Sequence, residues 1–304
     1  MFPSVQHFPT MYRLSALLLG LLISLASFGQ SSLRKAIQQI AQSSGGTVGV
    51  SIIHLERGDT LSLNGTGHFP MLSVYKFPIA IALLNQIEAG KFDLDTKWHV
   101  TKKELLSNTH SPIRDKYPQG NVDITIRELI ENMVALSDNN ACDIILRKLG
   151  GTKVVENYFH HLGYKNIAIR ATEEEMATEW SVQYQNWCEP VLMGRLLNDF
   201  YEGKLLNSAY TKVLKDIMLS TSTAPNRLPG LLPKGTPIAR KTGTSGTSPA
   251  GVTAATNDVG VITLPSGQHL VVAVFVMDSK AETAVREQTI ARIAKAAYDH
   301  YNQN

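Results

Sequence analysis

Apolar and polar positions alternate in two stretches near the start of the chain, TVGVSIIHL at residues 47–55 and TLSL at 60–63, split by ERGD. β-Branched residues at period two around a Gly-Asp turn predict a hairpin. From about residue 73 the period lengthens. FPIAIALLNQIEAG, TIRELIENMVAL, NACDIILRKLG and PVLMGRLLNDFYEG place apolar residues at helical spacing, and several end in Gly or Gly-Lys, as helix C-termini do. Alternation returns in GVTAATNDVGVITL and HLVVAVFVMD, joined by the turn PSGQ, and the tail AETAVREQTIARIAKAAYDHY predicts a long amphipathic helix. Strands at both ends with helices between them predict a sheet domain made from the two termini and a helical domain inserted into it. A cleft between two such domains is a natural binding site.

The N-terminus adds an address. From Met11 the chain reads MYRLSALLLGLLISLASFGQ: one arginine, an apolar run, then small residues. That is the layout of a secretory signal, and about 15 apolar residues fall short of the ~20 that span a bilayer. Residues 1–29 are therefore expected to be a cleaved signal, with no stable membrane anchor and a secreted, periplasmic product. A chain of 304 residues can build its core without disulfides, so its two cysteines, Cys142 and Cys188, are expected as buried free thiols. A formal charge of +3 with no basic cluster excludes a nucleic-acid partner. The nine histidines show no metal-ligand spacing, and neither a metal nor a cofactor is expected.

Candidate chemistry starts at SVYK, residues 73–76, where a loop gives way to an apolar helix. Ser73 and Lys76 stand at i and i+3, on one helix face. A serine hydroxyl needs a nearby base to become a nucleophile, and a lysine serves if burial or a neighbouring cation lowers its pKa. A capping serine followed by a surface lysine has the same spelling, and about one such match is expected in any chain of this length. Two further clusters change the weighting. Ser137, Asp138 and Asn139 stand at a helix start, where a hydroxyl and an amide could orient a lysine and a substrate amide, or where the chain is merely N-capped. Lys241, Thr242 and Gly243 precede strand-like sequence; on a strand edge the first two could hold a carboxylate while Gly243 admits substrate to the backbone, although Thr and Gly also make plain turns. All three in order would be rare by accident.

In carrying SVYK, SDN and KTG in that order, the chain from about residue 45 onward resembles the class A serine β-lactamases and the related penicillin-binding proteins. The resemblance implies an α/β (α+β type) fold, an antiparallel sheet flanked by helices beside an all-helical domain, with residues 30–72 and 225–304 in the first and 73–224 in the second. It implies that Ser73 is acylated by a β-lactam carbonyl, with the Ser73 and Thr244 backbone N–H groups as oxyanion hole. Lys76, Ser137 and Lys241 would form the proton relay. Asn139 would contact the substrate's side-chain amide, and Lys241, Thr242 and Ser245 its carboxylate.

A β-lactamase also needs a second base to activate water. ATEEEMATEW at 171–180 is an acidic run that could simply be solvated. The family pattern of Glu followed three residues later by Met fits Glu173 and Met176, making Glu173 the expected deacylation base. Ala177 stands where many class A enzymes carry a water-holding asparagine, and the loop lacks their Arg–Asp pair. QYQNW at 183–187 and NRLPGLLP at 226–233 resemble the PER/VEB/CfxA-like extended-spectrum branch, which implies a carboxylate-binding Arg227 and cephalosporins as well as penicillins as substrates. The expected protein is a monomeric β-lactam hydrolase that confers antibiotic resistance. A D-alanyl-D-alanine carboxypeptidase or transpeptidase is the alternative, and a non-catalytic β-lactam sensor is a third, lacking the partner domain it would need.

Overall fold

The computed structural model describes residues 31–302; the expected signal sequence lies outside them. A helix over residues 31–42 (α1) leads into the hairpin of β1 (Thr47–His54) and β2 (Thr60–Leu63). After β3 (Phe69–Pro70), one 3-10 turn at Leu72–Tyr75 runs directly into α2 (Lys76–Glu88). Then come β4 (Lys97–Val100), α3 (Pro112–Lys116), β5 (Val122–Thr125), α4 (Ile126–Ala135), α5 (Asn139–Leu149) and α6 (Thr152–His161). β6 (Ile167–Ala168), α7 (Glu173–Met176), β7 (Trp187–Cys188), α8 (Pro190–Tyr201) and α9 (Ser208–Leu219) follow. The chain closes with β8 (Ile238–Thr244), β9 (Thr253–Thr263), β10 (His269–Ser279) and α10 (Thr283–Asn302).

The main sheet is antiparallel, in the order β2-β1-β10-β9-β8, so both ends of the chain build it and β8 is an edge strand. Both faces are covered, and β10 shows why its sequence is apolar throughout. Leu270, Val272, Val274 and Val276 meet Leu33 and Ile37 of α1 and Ile290 and Ile293 of α10 in one core. Val271, Ala273 and Phe275 point the other way, into the core shared with α2, α4, α5 and α8. Period two on a strand buried on both faces gives two apolar sets.

One expectation needs correcting. Residues 73–224 are not purely helical: β4 pairs with β5, and β6 and β7 join β3 in a three-stranded sheet. These pieces run two to four residues, too short to show a period. The helix N-terminal to the hairpin, α1, had no expectation at all. Both cysteines are free and buried, as the sequence suggested.

Candidate active site

Ser73 sits in the 3-10 turn, and its predecessor Leu72 has φ +46°, a left-handed conformation that costs a non-glycine residue energy and persists only where its surroundings hold it. The surroundings are specific. Asn257 of β9 donates its amide to Pro70 O at 2.8 Å and to Met71 O at 3.2 Å, while the Met71 N–H is bonded to Asn186 O at 2.8 Å. Gly243 completes the seat. A Cβ there would lie 2.4 Å from Met71 O and 3.2 Å from Val74, so β8 can press against the nucleophile turn only with glycine at this position. The structure thus gives Gly243 a reason other than substrate access: the close neighbour is the protein's own backbone.

Lys76 begins α2 and is fully buried. Its Nζ donates to Ser137 O at 2.9 Å and to Asn139 Oδ1 at 2.5 Å, and stands 2.9 Å from Glu173 Oε1. The last is a charge contact rather than an aligned hydrogen bond, for Glu173 Oε1 is buried without an aligned donor. Lys241, on edge strand β8, is equally buried and donates to Ser137 Oγ and Thr242 O, both at 2.9 Å. Burial, reinforced by the charge of Lys76, pushes the Lys241 ammonium well below the ordinary lysine range. Ser137 Oγ accepts from Lys241 and keeps its own proton free to give away.

Ser137 itself has φ +60°. Asp138 fixes that turn: its buried carboxylate accepts from Ser111 Oγ at 3.0 Å, Ile113 N at 2.7 Å and Ala141 N at 2.8 Å, the last as N-cap of α5. Asn139 splits its amide, the oxygen to Lys76 and the nitrogen to Thr109 Oγ1 at 2.6 Å.

The three consecutive glutamates separate by burial. Thr172 caps α7, and Glu175 returns its carboxylate to the Thr172 N–H at 2.8 Å, a capping box on the surface. Glu174 is exposed, while Glu173 is buried and faces Lys76. Two residues hold this loop: Asp143, not singled out from the sequence, and Asn186, within the QYQNW stretch. Asp143 of α5 accepts from Glu173 N at 2.8 Å and Glu174 N at 2.9 Å; burial, aided by the Glu173 charge, raises its carboxyl to about 6. Asn186 accepts from Arg170 N at 2.7 Å and Ala171 N at 3.0 Å and donates to Ala171 O at 2.8 Å. They hold the loop where the Arg–Asp pair is missing, with one carboxylate and one neutral amide. No sequence signal beyond a polar residue among apolar neighbours marked Asp143.

Ser73, Ser137, Asn139, Thr242 and Thr244 meet around one cavity of about 260 Å³, whose other walls are His110, Thr223 and Ala224. A second cavity of about 300 Å³ adjoins Glu173 and includes Thr109, Asp143, Ala177 and Thr178 in its lining. The Ala177 side chain contributes room there rather than a hydrogen bond. Two expected residues are placed differently. Ser245 does not line the cavity; its hydroxyl accepts from Ala255 N at 2.9 Å and donates to Gly246 O at 2.9 Å. Arg227 is buried behind β8 and donates to Gly243 O at 3.1 Å, Asn257 O at 3.0 Å, Thr244 Oγ1 at 2.7 Å and Glu287 Oε1 at 3.2 Å. It reaches the cleft through the Thr244 hydroxyl.

Residues 32–301 match the model of the β-lactamase enzyme family. The chain belongs to that family. It is 42% identical to β-lactamase VEB-1 of Pseudomonas aeruginosa, covering 87% of this chain and 89% of that protein. It is 38% identical to the extended-spectrum β-lactamase PER-1 of the same organism, covering 91% of each. The crystal structure of a β-lactamase from Chitinophaga pinensis superposes with a TM-score of 0.88 at 49% identity, over 89% of this chain and all of the other. The chain is similar to class A enzymes throughout its described length, in fold as well as in sequence.

Proposed function

We propose that this protein hydrolyses the β-lactam amide of cephalosporins and penicillins through a serine acyl-enzyme, and so confers resistance to them. The observation that carries the reading is Glu173, buried and 2.9 Å from Lys76, beside the nucleophile turn. A carboxylate there can activate the water that releases the acyl group, a step with no place in a protein that keeps it, and this disfavours the carboxypeptidase or transpeptidase alternative.

Ser73 Oγ adds to the β-lactam carbonyl, and the Ser73 and Thr244 N–H groups take the developing oxyanion. The serine proton passes to Lys76 and Glu173, whose contact makes them one proton-accepting unit. As the C–N bond breaks, the ring nitrogen receives the Ser137 proton, Lys241 replaces it, and the proton taken from Ser73 moves on through Ser137 to Lys241, so that Glu173 is again a carboxylate. Lys241 and the Thr242 and Thr244 hydroxyls bind the substrate carboxylate, with the Arg227 charge behind Thr244. Asn139 holds the side-chain amide. Glu173 then takes a proton from water, the hydroxide adds to the ester carbonyl, and Ser73 leaves with its proton restored. Thr244 thereby replaces Ser245 in the carboxylate role.

Residues 30–72 and 225–304 form the sheet domain in this reading, and 73–224 the mainly helical one. The substrate partner is a small β-lactam and the working state a monomer. Among the described residues no helix is long and apolar enough to cross a membrane, which agrees with a secreted, periplasmic enzyme released from its signal sequence. Mixing residues 31–304 with a chromogenic cephalosporin tests the reading. Many turnovers are expected, abolished by Ser73→Ala and stalled as acyl-enzyme by Glu173→Gln. A single stoichiometric burst in the unaltered protein would favour the penicillin-binding alternative.

A further inference from the structure

Arg240, Thr242 and Thr244 lie on one face of β8, and Asp258 of β9 stands opposite Thr242. Arg240 and Asp258 are both buried, with Nη1 donating to Asp258 Oδ2 at 2.8 Å. Gly260, opposite Arg240, makes this possible, for a Cβ there would lie 2.7 Å from that of Arg240. The rest of the guanidinium does not stay in the sheet. It donates to Thr223 O and, at 3.4 Å, to Ala224 O, two residues that wall the cleft together with Ser137 and Asn139. Thr221 Oγ1 returns a bond to Arg240 O at 2.9 Å, and Leu228 N donates to Asp258 Oδ2 at 3.1 Å. The wall is strained, since Ala224 has φ +46° without being glycine. It also touches the chemistry: the Thr223 and Thr242 hydroxyls are 2.8 Å apart.

We infer that Arg240, anchored by Asp258, is a positioning residue that clamps the 223–224 wall and thereby sets the geometry of the carboxylate-binding end of the cleft. The inference rests on the β-lactamase reading for its substrate. A guanidinium suits the task because its fork can reach a carboxylate and two carbonyls together. Lysine at this position keeps the charge pair with Asp258 but cannot span all three. Loosening the wall shifts the Thr223 hydroxyl, hence Thr242, and weakens carboxylate binding; Glu173 and its loop are untouched.

The test compares unaltered protein with Arg240→Lys on a cephalosporin and on its methyl ester, with acylation and deacylation measured separately. Arg240→Lys is expected to lower kcat/KM for acylation of the free acid by about tenfold, the order of one lost charge-assisted bond. Acylation of the ester is expected to change less than twofold, as is deacylation of either. Hydrogen exchange of amides 222–228 is expected to quicken by about tenfold in the variant. Thr223→Val, which leaves the clamp intact, serves if Arg240→Lys does not fold; it should show the same selective loss for the acid without faster exchange. Parallel losses on acid and ester, or a wall that exchanges at the unaltered rate in Arg240→Lys, would overturn the clamp. If the unaltered protein acylates neither compound, the catalytic reading fails, and the exchange comparison still decides whether Arg240 holds the wall.

Discussion

Replacing Asp143 with asparagine separates the loop's scaffold from the base it carries. The Asp143 carboxylate accepts the N–H groups of Glu173 and Glu174 at 2.8 and 2.9 Å, so it fixes the backbone that aims Glu173 at Lys76. Hydrogen bonds to a charged group contribute about 1.5–3 kcal/mol each. Burial and the neighbouring Glu173 charge nevertheless raise the carboxyl from its ordinary 3.8 to about 6, equivalent to about 3 kcal/mol against ionisation. The folded state holds the Asp143 proton more tightly than the unfolded chain. Its contribution to stability is therefore present below about pH 4, is lost as pH rises to about 6, and does not change further. Asparagine keeps one acceptor, faces the other N–H with its own amide, and cannot titrate.

The stability of the unaltered protein should accordingly fall, relative to Asp143→Asn, by about 3 kcal/mol between pH 4 and 6 in urea unfolding. Function should move the opposite way. Once Asp143 is protonated, one of its oxygens becomes a donor and lets go of an N–H, so deacylation should slow below about pH 6 and acyl-enzyme should accumulate, as quenched mass spectrometry would detect. Asp143→Asn should show slow deacylation, on the order of tenfold down, at pH 7 already, and no inflection near pH 6. An unchanged inflection in the variant, together with a flat stability difference from pH 4 to 6, would refute the reasoning and assign the titration to another group.

Among the three glutamates, only Glu173→Gln should trap acyl-enzyme, Glu174→Gln should change turnover less than twofold, and Glu175→Ala should cost about 1 kcal/mol of stability by removing the capping box, all read from burst kinetics and urea midpoints. Gly243→Ala should slow acylation by about a hundredfold while leaving a folded protein, because the added carbon must displace Met71 O and with it the Ser73 turn; the acylation rate checks this. Cys142 and Cys188, both buried with thiols raised well above their ordinary range, should react with a thiol reagent only after unfolding, and then both together.

What the sequence made legible was local. The β1–β2 hairpin, the β9–β10 pair and the Ser73–Lys76 turn each announce themselves within a dozen residues through period, turn chemistry or spacing. The buried glutamate was reached through the resemblance, from Glu173 and Met176 three residues apart; the capping box of Thr172 and Glu175 sets Glu175 aside but does not by itself choose between Glu173 and Glu174. Leu33, Ile37 and Ile40 have the spacing of a helical stripe, and α1 was overlooked rather than hidden. The residues that hold the site were not legible in the same way. Asp143 matters through amides 30 and 31 positions away, and Asn257 through carbonyls 186 and 187 positions away. Gly243 looks like a turn former until β8 is laid against Met71. Such roles are set by the partner, and the partner is set by the fold.

Strain ties these partners together. Six non-glycine residues among those described have positive φ, and three of them frame the cleft: Leu72 next to the nucleophile, Ser137, and Ala224 in its wall. Each is held by a different buried polar side chain. Asn257 grips the carbonyls before Leu72, Asp138 accepts three donors around Ser137, and Arg240 reaches the carbonyls at Ala224. Left-handed backbone at a non-glycine residue costs of order 1–3 kcal/mol, so none of the three corners would persist in a loop free to relax. Buried ionic groups such as Arg240 and Asp258 are poor sources of net stability, since their desolvation cancels most of their attraction. Their value here is geometric. They keep three unfavourable corners in place, and the hydroxyls and ammonium groups of the cleft stand at hydrogen-bonding distance because those corners do not move.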